Sequence, residues 1–305
     1  CALQKVNSEK FCKIYPDRGV EGGTTRKSEP EKKVIKYTGA PVEQPIVYLP
    51  AFVGTNCDYD TAKAFERAGA KTTTSVFCDL TPEDITASIE KMKKHIDECH
   101  ILALSGGFSA GDEPDGSGKF IVNVLNNKVI TDAIHALLDR GGLILGICNG
   151  FQALVKSGLL PYGRLGQVVK ESPTLFRNDI NRHISQIVST RVATTNSPWL
   201  SSFELGEQHS IAVSHGEGKF VVSDEMAEQL FANGQVAFQY TDAEGHATTD
   251  APYNPNGSSY GIEGIISRDG QILGKMGHTE RYTEGLFKNI VGEKCQNIFD
   301  NAVRY

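Results

Sequence analysis

The sequence lacks any Cys-x-x-Cys pair, although it holds seven cysteines: Cys1, Cys12, Cys57, Cys78, Cys99, Cys148 and Cys295. Zinc ribbons and redox dithiols ordinarily show that spacing, so both classes are set aside and no metal is expected. An odd, scattered set of thiols in 305 residues also argues against a disulfide framework and for a reducing, cytoplasmic location. No apolar run approaches the roughly 18 residues of a membrane helix, and the N-terminus shows no signal-peptide pattern, so no membrane partner is expected. Positive charge is in short supply: 31 Lys and Arg stand against 37 Asp and Glu, for a formal net charge of −6. That balance speaks against a nucleic-acid partner and leaves room for a small anionic substrate. No Gly-Lys-Ser/Thr follows a glycine-rich turn, which excludes a Walker-type phosphate loop. The chain has no internal repeat. It also has no initiator Met and opens with Cys1, which suggests a piece of something longer.

What is present divides the chain in two. Residues 1–45 contain a small, charged stretch from Gly22 to Lys33 and read as a linker or surface arm, closed by Pro41 and Pro45. Residues 46–305 form the second part, with a βα rhythm at its start. Ile46–Leu49, Lys71–Val76, Ile101–Leu104 and Gly142–Ile147 read as strands, and three of these are apolar without alternation. Helices are expected from Asp58 or Asn56 to Ala68, from Thr81 to about Ile96, from about Lys119 to Asp139, and over Ala153–Ser157 with Gly158 as the stop. Such a rhythm predicts an α/β fold with a mostly parallel sheet covered on both faces, whose ligands bind beyond the C-terminal strand ends. Past Gly163 the texture turns β-rich. Ile184–Val192 and Val236–Tyr240 alternate, and Ser258–Gly277 holds two strands around an Asp269-Gly270 turn. This part reads as a smaller antiparallel extension.

Chemistry concentrates where the predicted strands stop. In Gly146-Ile147-Cys148-Asn149-Gly150, a cysteine flanked by glycines sits at a strand-to-helix turn, the arrangement of a nucleophile elbow. The following helix aims its N-terminus at the sulfur, which favours thiolate and supplies N–H groups where an oxyanion would form. Gln152 stands one turn along on the same side. A thiol nucleophile needs a base and a group that orients it. His278 and Glu280, two apart on an extended backbone, can lie side by side. The turn Ser105-Gly106-Gly107-Phe108 leaves backbone N–H groups able to bind an anion or carbonyl oxygen, or serves as an ordinary flexible loop. His215, within Ser214-His215-Gly216-Glu217-Gly218, is a rival base or a structural histidine.

Together these residues resemble a known family. Gly146-x-Cys148-x-Gly150-x-Gln152 with a distant His278-x-Glu280 is similar to the triad-type (class I) glutamine amidotransferase domain, whose fold is flavodoxin-like. Gly54-Thr55-Asn56-Cys57-Asp58, Gly106-Gly107-Phe108-Ser109 with Gly111-Asp112, Ser214–Gly218 and Asn254-Pro255-Asn256-Gly257-Ser258 narrow the resemblance to the glutaminase part of phosphoribosylformylglycinamidine synthase, over roughly residues 46–305. The resemblance implies that Cys148 attacks the side-chain amide of L-glutamine and forms a thioester. His278 then shuttles the proton, oriented by Glu280. Backbone N–H groups of Gly107 and Asn149 form the oxyanion hole, and Gly106, Phe108, Gln152, Ser214 and His215 line the glutamine site. It also implies no cofactor on this chain, with ATP and Mg on a synthetase domain or subunit that takes the ammonia for purine biosynthesis. The family usually has Pro between its His and Glu. Here Thr279 stands there, and Thr can keep the extended backbone. Other readings are a glutaminase serving another acceptor, a stress-response or protease-like relative, and a non-catalytic docking domain.

Overall fold

The computed structural model describes residues 25–27, 41–109 and 118–305. The linker reading of residues 1–45 falls almost wholly outside them, as does Gly111-Asp112. In the first half, strand and helix alternate as the apolar runs require. Strand β1 (Ile46–Ala51) leads to helix α1 (Asp58–Arg67), β2 (Lys71–Val76), α2 (Pro82–Glu98), β3 (Ile101–Leu104), α3 (Lys119–Leu125), α4 (Lys128–Asp139), β4 (Leu143–Ile147) and α5 (Asn149–Ser157). Helix α2 begins as its sequence dictates: Thr81 Oγ1 accepts from Asp84 N at 3.1 Å, and Pro82 occupies the first turn, where its missing N–H has no cost. Helix α1 corrects the expected cap, since Cys57 occupies the N-cap position and no side chain caps it.

The single helix expected over residues 119–139 is two. The chain turns at Asn126-Asn127, where Asn127 adopts an extended ψ of 128° and its Oδ1 accepts from Val129 N at 3.0 Å. That Asx-type bond starts a new helix and outcompetes continuation of the old one. Helix α4 then buries Ile130, Ala133, Ile134, Leu137 and Leu138, a stripe at helical spacing. Each large side chain of that stripe contributes roughly 1.5–3 kcal/mol by burial.

The second half adds β5 (Thr174–Phe176), β6 (Ile184–Val192), β7 (Gln208–His215), β8 (Lys219–Val221), helix α6 (Asp224–Ala232), β9 (Val236–Tyr240), β10 (Ile262–Ile266), β11 (Ile272–Lys275) and helix α7 (Ile298–Arg304). The antiparallel part is the expected smaller extension, four strands added to the edge of the parallel set. It continues the same nine-stranded sheet, in the order β2-β1-β3-β4-β11-β10-β9-β6-β7, while β5 and β8 pair apart. Strands β2, β1, β3, β4 and β11 are mutually parallel; β10, β9, β6 and β7 join antiparallel. Strand β9 is buried along its whole length rather than alternating, because it lies inside the sheet with both faces covered. Among the described residues, no helix is long and apolar enough to cross a membrane.

This topology positions the site. Strands β1, β3, β4 and β11 are parallel, so their C-terminal ends share one edge, with Lys275 opposite Ile147 and Leu104 opposite Gly146. Four antiparallel steps later, β7 again runs the same way as β11. The sheet also curls far enough that His278 N donates to Ala212 O of β7 at 2.8 Å.

Candidate active site

Cys148 stands at the end of β4 as the N-cap of α5, with φ 51° and ψ −105°. A side chain in that region costs about 1–3 kcal/mol and persists only when its surroundings enforce it. Gly150 supplies part of the enforcement. A Cβ there would lie 2.0 Å from Leu104 O, so only glycine lets α5 close on the end of β3. The result is a strained elbow that holds Cys148, itself 6% exposed, over the first turn of α5.

His278 and Glu280 arrive from β11. Both are 2% exposed, and His278 Nδ1 lies 2.6 Å from Glu280 Oε1. Burial alone would lower the His278 pKa. The charge of Glu280, together with hydrogen bonds involving Cys148, Cys57 and Glu280, overrides burial and holds the ring well above 6.5. With Nδ1 committed to Glu280, Nε2 is the ring atom left for the thiol proton, and it makes no regular hydrogen bond among the described residues. The Cys148 thiol is one of the groups that raise the ring's pKa, and its sulfur also makes a long contact to Ser214 O, at 3.8 Å. A thiol at an elbow, an imidazole and a carboxylate are therefore brought to one place, the set of groups that acyl transfer by a thiol would need.

Gly106 lies between these groups. A Cβ at this position would meet His278 Cε1 at 2.8 Å, Cys57 Sγ at 3.2 Å and Cys148 Cβ at 3.5 Å. The glycine of the β3 turn is thus a fitted part of the site rather than a flexible hinge. Gly106→Ala is expected to displace the imidazole and lower glutamine turnover about 100-fold with the fold intact, as steady-state rates and circular dichroism would show.

The other expected contacts sort less simply. Gln152 does not present a free amide. Its Nε2 donates to Glu217 O at 2.6 Å, and its Oε1 accepts from Asn149 Nδ2 at 3.0 Å. Asn149 Oδ1 in turn accepts from Ser109 N at 3.3 Å. These side chains tie the elbow, the Gly106-Gly107 turn and the Ser214–Gly218 run into one wall. His215 is fully enclosed. Its Nε2 accepts from Asn256 Nδ2 at 3.1 Å, and burial, with the nearby His278 and His183, lowers its pKa to about 3. So weak a base, with its Nε2 already held by Asn256, is poorly placed to take a thiol proton. The Asn254–Ser258 cluster is its anchor, through Asn256, rather than a surface turn.

Sequence reasoning gave no site role to three groups here. Cys57 Sγ lies 3.9 Å from His278 Nδ1 and accepts from Arg281 Nη2 at 3.1 Å. His183 Nε2 is 3.0 Å from Ser214 Oγ, and its ring lies 6.3 Å from that of Phe108, so His183 stands between Ser214 and Phe108 at the exposed rim. For Cys57, the place of its loop after the first strand was a usable signal; His183 and Arg281 carried none. Cys57, His278 and Glu280 bring ligand atoms within 4.8 Å of one another, the one such cluster among the described residues, but the Arg281 guanidinium on the sulfur opposes a cation there. A separate cavity lined by Pro41, Arg140 and Tyr305 opens at the starts of β3 and β4, the opposite end of the sheet from Cys148.

The CobB/CobQ-like glutamine amidotransferase domain matches residues 44–305. Two similar proteins carry the name phosphoribosylformylglycinamidine synthase subunit PurQ. The one from Methanococcus maripaludis strain C5 is 35% identical over 282 residues, covering 86% of this chain and 98% of that protein. The one from Gloeobacter violaceus is 31% identical over 252 residues, covering 83% and 94% respectively. Among solved structures, a chain in PurLQS from Thermotoga maritima matches with a TM-score of 0.62 and 27% identity, over 86% of this chain and 99% of that one.

Proposed function

The chain belongs to the CobB/CobQ-like glutamine amidotransferase family, in its phosphoribosylformylglycinamidine synthase subunit PurQ branch, and from that premise we propose that Cys148, His278 and Glu280 hydrolyse L-glutamine. The Cys148 thiolate attacks the side-chain amide carbon. The oxygen becomes an oxyanion, received by the backbone N–H groups of Gly107 and Asn149. As the tetrahedral intermediate collapses, His278 gives its proton to the leaving nitrogen, and ammonia departs from a glutamyl thioester. Water, deprotonated by His278, then attacks the thioester, releases glutamate and returns the thiol. Glu280 holds the imidazole in the tautomer and charge state these steps use. Gly106 leaves room for the ring. Phe108 and Ser214 contact the glutamine from the rim, and Gln152 and His215 shape its wall.

The observation that carries this reading is the strained Cys148 elbow facing a buried His278–Glu280 pair at 2.6 Å. A glutamine-analogue electrophile is expected to form a single covalent adduct on Cys148, located by peptide mass spectrometry. An adduct on another thiol, or none, overturns the assignment of the nucleophile.

The ammonia has a purine-pathway acceptor in this reading, supported by the shared name of the relatives. A synthetase domain or subunit, holding ATP and Mg, uses it to convert formylglycinamide ribonucleotide to formylglycinamidine ribonucleotide. The free thiols Cys57, Cys78, Cys99, Cys148 and Cys295 fit a reducing, cytoplasmic setting.

A further inference from the structure

We propose that Lys275 is a positioning residue for the His278–Glu280 pair, acting through the hydroxyl of Thr279 and the carboxylate of Glu263. The proposal rests on the glutaminase reading above, and it concerns what holds the base in place.

Lys275 ends β11, three residues before His278, and its side chain is wholly buried. A buried ammonium is costly unless its donors are satisfied and its charge is opposed. Three acceptors meet it: Thr279 Oγ1 at 2.8 Å, Gly277 O at 3.2 Å and Glu263 Oε1 at 3.6 Å. The same Glu263 oxygen accepts from Gly277 N at 2.5 Å. The N–H and the C=O of Gly277 are therefore held by the two halves of one buried ion pair, immediately before His278. Thr279 completes the chain. Its hydroxyl accepts from Lys275 and donates to Gln296 Oε1 at 2.7 Å. Gln296 Nε2 reaches Thr190 Oγ1 on β6 at 3.5 Å. The segment 277–279 is thus tied to β11, to β10 through Glu263, and to β6. Glu280 also lies within electrostatic reach of the ammonium, and the charges of Glu263 and Glu280 oppose the burial that would discharge Lys275.

This arrangement supplies what proline would give by another route. Proline at 279 would fix φ near −65° by covalent constraint and bring no hydroxyl. Threonine leaves φ freer, and its side chain then fixes the segment through two buried hydrogen bonds. A group that only stabilised the fold would change thermal stability and leave the ratio of kcat to KM unmoved. A positioning group changes the rate of the chemical step with little change in glutamine binding.

The test uses the full chain and steady-state glutamine hydrolysis, with Thr279→Val, Thr279→Ser, Lys275→Met and the double variant Lys275→Met/Thr279→Val. Thr279→Val keeps the shape and removes both hydrogen bonds; it is expected to lower kcat about 10-fold or more with KM within about twofold. Thr279→Ser should stay within about twofold of the parent, because the hydroxyl remains. If the two residues act as one device, the double variant falls no further than about twofold below the worse single variant. Unchanged kcat in Thr279→Val overturns the proposal, as does a loss confined to KM or losses that multiply. The threonine pair decides the matter even if Lys275→Met does not fold. A parent chain that releases no glutamate and takes no adduct on Cys148 overturns the glutaminase reading and this inference with it. An active parent with equally active variants overturns the inference alone.

Discussion

Cys148→Ala is expected to reduce glutamine hydrolysis by about 10⁴-fold or more, to the background of the remaining site, while the protein stays folded. The expectation follows from what the residue supplies. No other thiol sits on the α5 elbow, and without a nucleophile there is no thioester for His278 and the backbone N–H groups to serve. Binding of glutamine should persist if, as proposed, Gly106, Gln152, Ser214 and His215 form the wall of its site. Cys148→Ala removes only the sulfur and keeps the Cβ, so the strain of a backbone at φ 51° is unchanged and the thermal midpoint should change little. Rate assays with glutamate detection, run beside an unfolding curve, check both halves. Cys57 gives this prediction its edge. It is the other thiol near His278, at 3.9 Å. Cys57→Ala should therefore retain turnover that Cys148→Ala loses. If Cys148→Ala remained active and Cys57→Ala did not, the roles of the two thiols would be reversed.

The second large effect is expected from Glu280→Gln. The amide keeps the shape of the carboxylate and can still meet Nδ1, but it removes the charge. In the native chain, burial lowers His278 and the charge of Glu280 outweighs it, leaving the ring well above 6.5. Without that charge, burial dominates and the imidazolium is lost at lower pH. His278 must be protonated to release ammonia, so the alkaline limb of the kcat/KM profile should move to lower pH. Turnover near neutrality should drop by about 10³-fold or more. Glu280→Asp should fall between, since the charge remains on a shorter arm. A pH series of kcat/KM on the three proteins is the measurement. An unmoved alkaline limb in Glu280→Gln would show that another group sets the charge of His278.

Much of this architecture was legible from local pattern. The apolar runs of β1, β3 and β4 gave a parallel sheet because strands covered on both faces cannot alternate. Helix α2 showed its own start in Thr81-Pro82. Gly146-x-Cys148-x-Gly150 showed the elbow because a sharp turn and close helix packing both demand missing side chains, and Gly150 against Leu104 O is that demand made concrete. Where local chemistry competed, the pattern misled. Helical periodicity runs straight through Asn126-Asn127, yet one side-chain bond from Asn127 divides the helix.

The sequence by itself determined the βα frame and the strand-to-helix elbow at Cys148, because each is written in neighbouring residues; the backbone period did not fix the His278–Glu280 contact, since Thr279–Arg281 forms a short 3-10 turn where an extended segment was expected. Only the tertiary structure set the different surroundings of the two candidate histidines. His278 had Glu280 two residues away and His215 stood only as a rival; β7 enclosed His215 against Asn256, where burial lowers its pKa, and β11 delivered His278 beside Glu280, where the carboxylate raises it. The same holds for the fitted gap at Gly106 and for Lys275 beneath Thr279. Dielectric, charge and free volume at a residue are set by chains distant in sequence, and they come into being only when the parallel strands bring their ends to one edge.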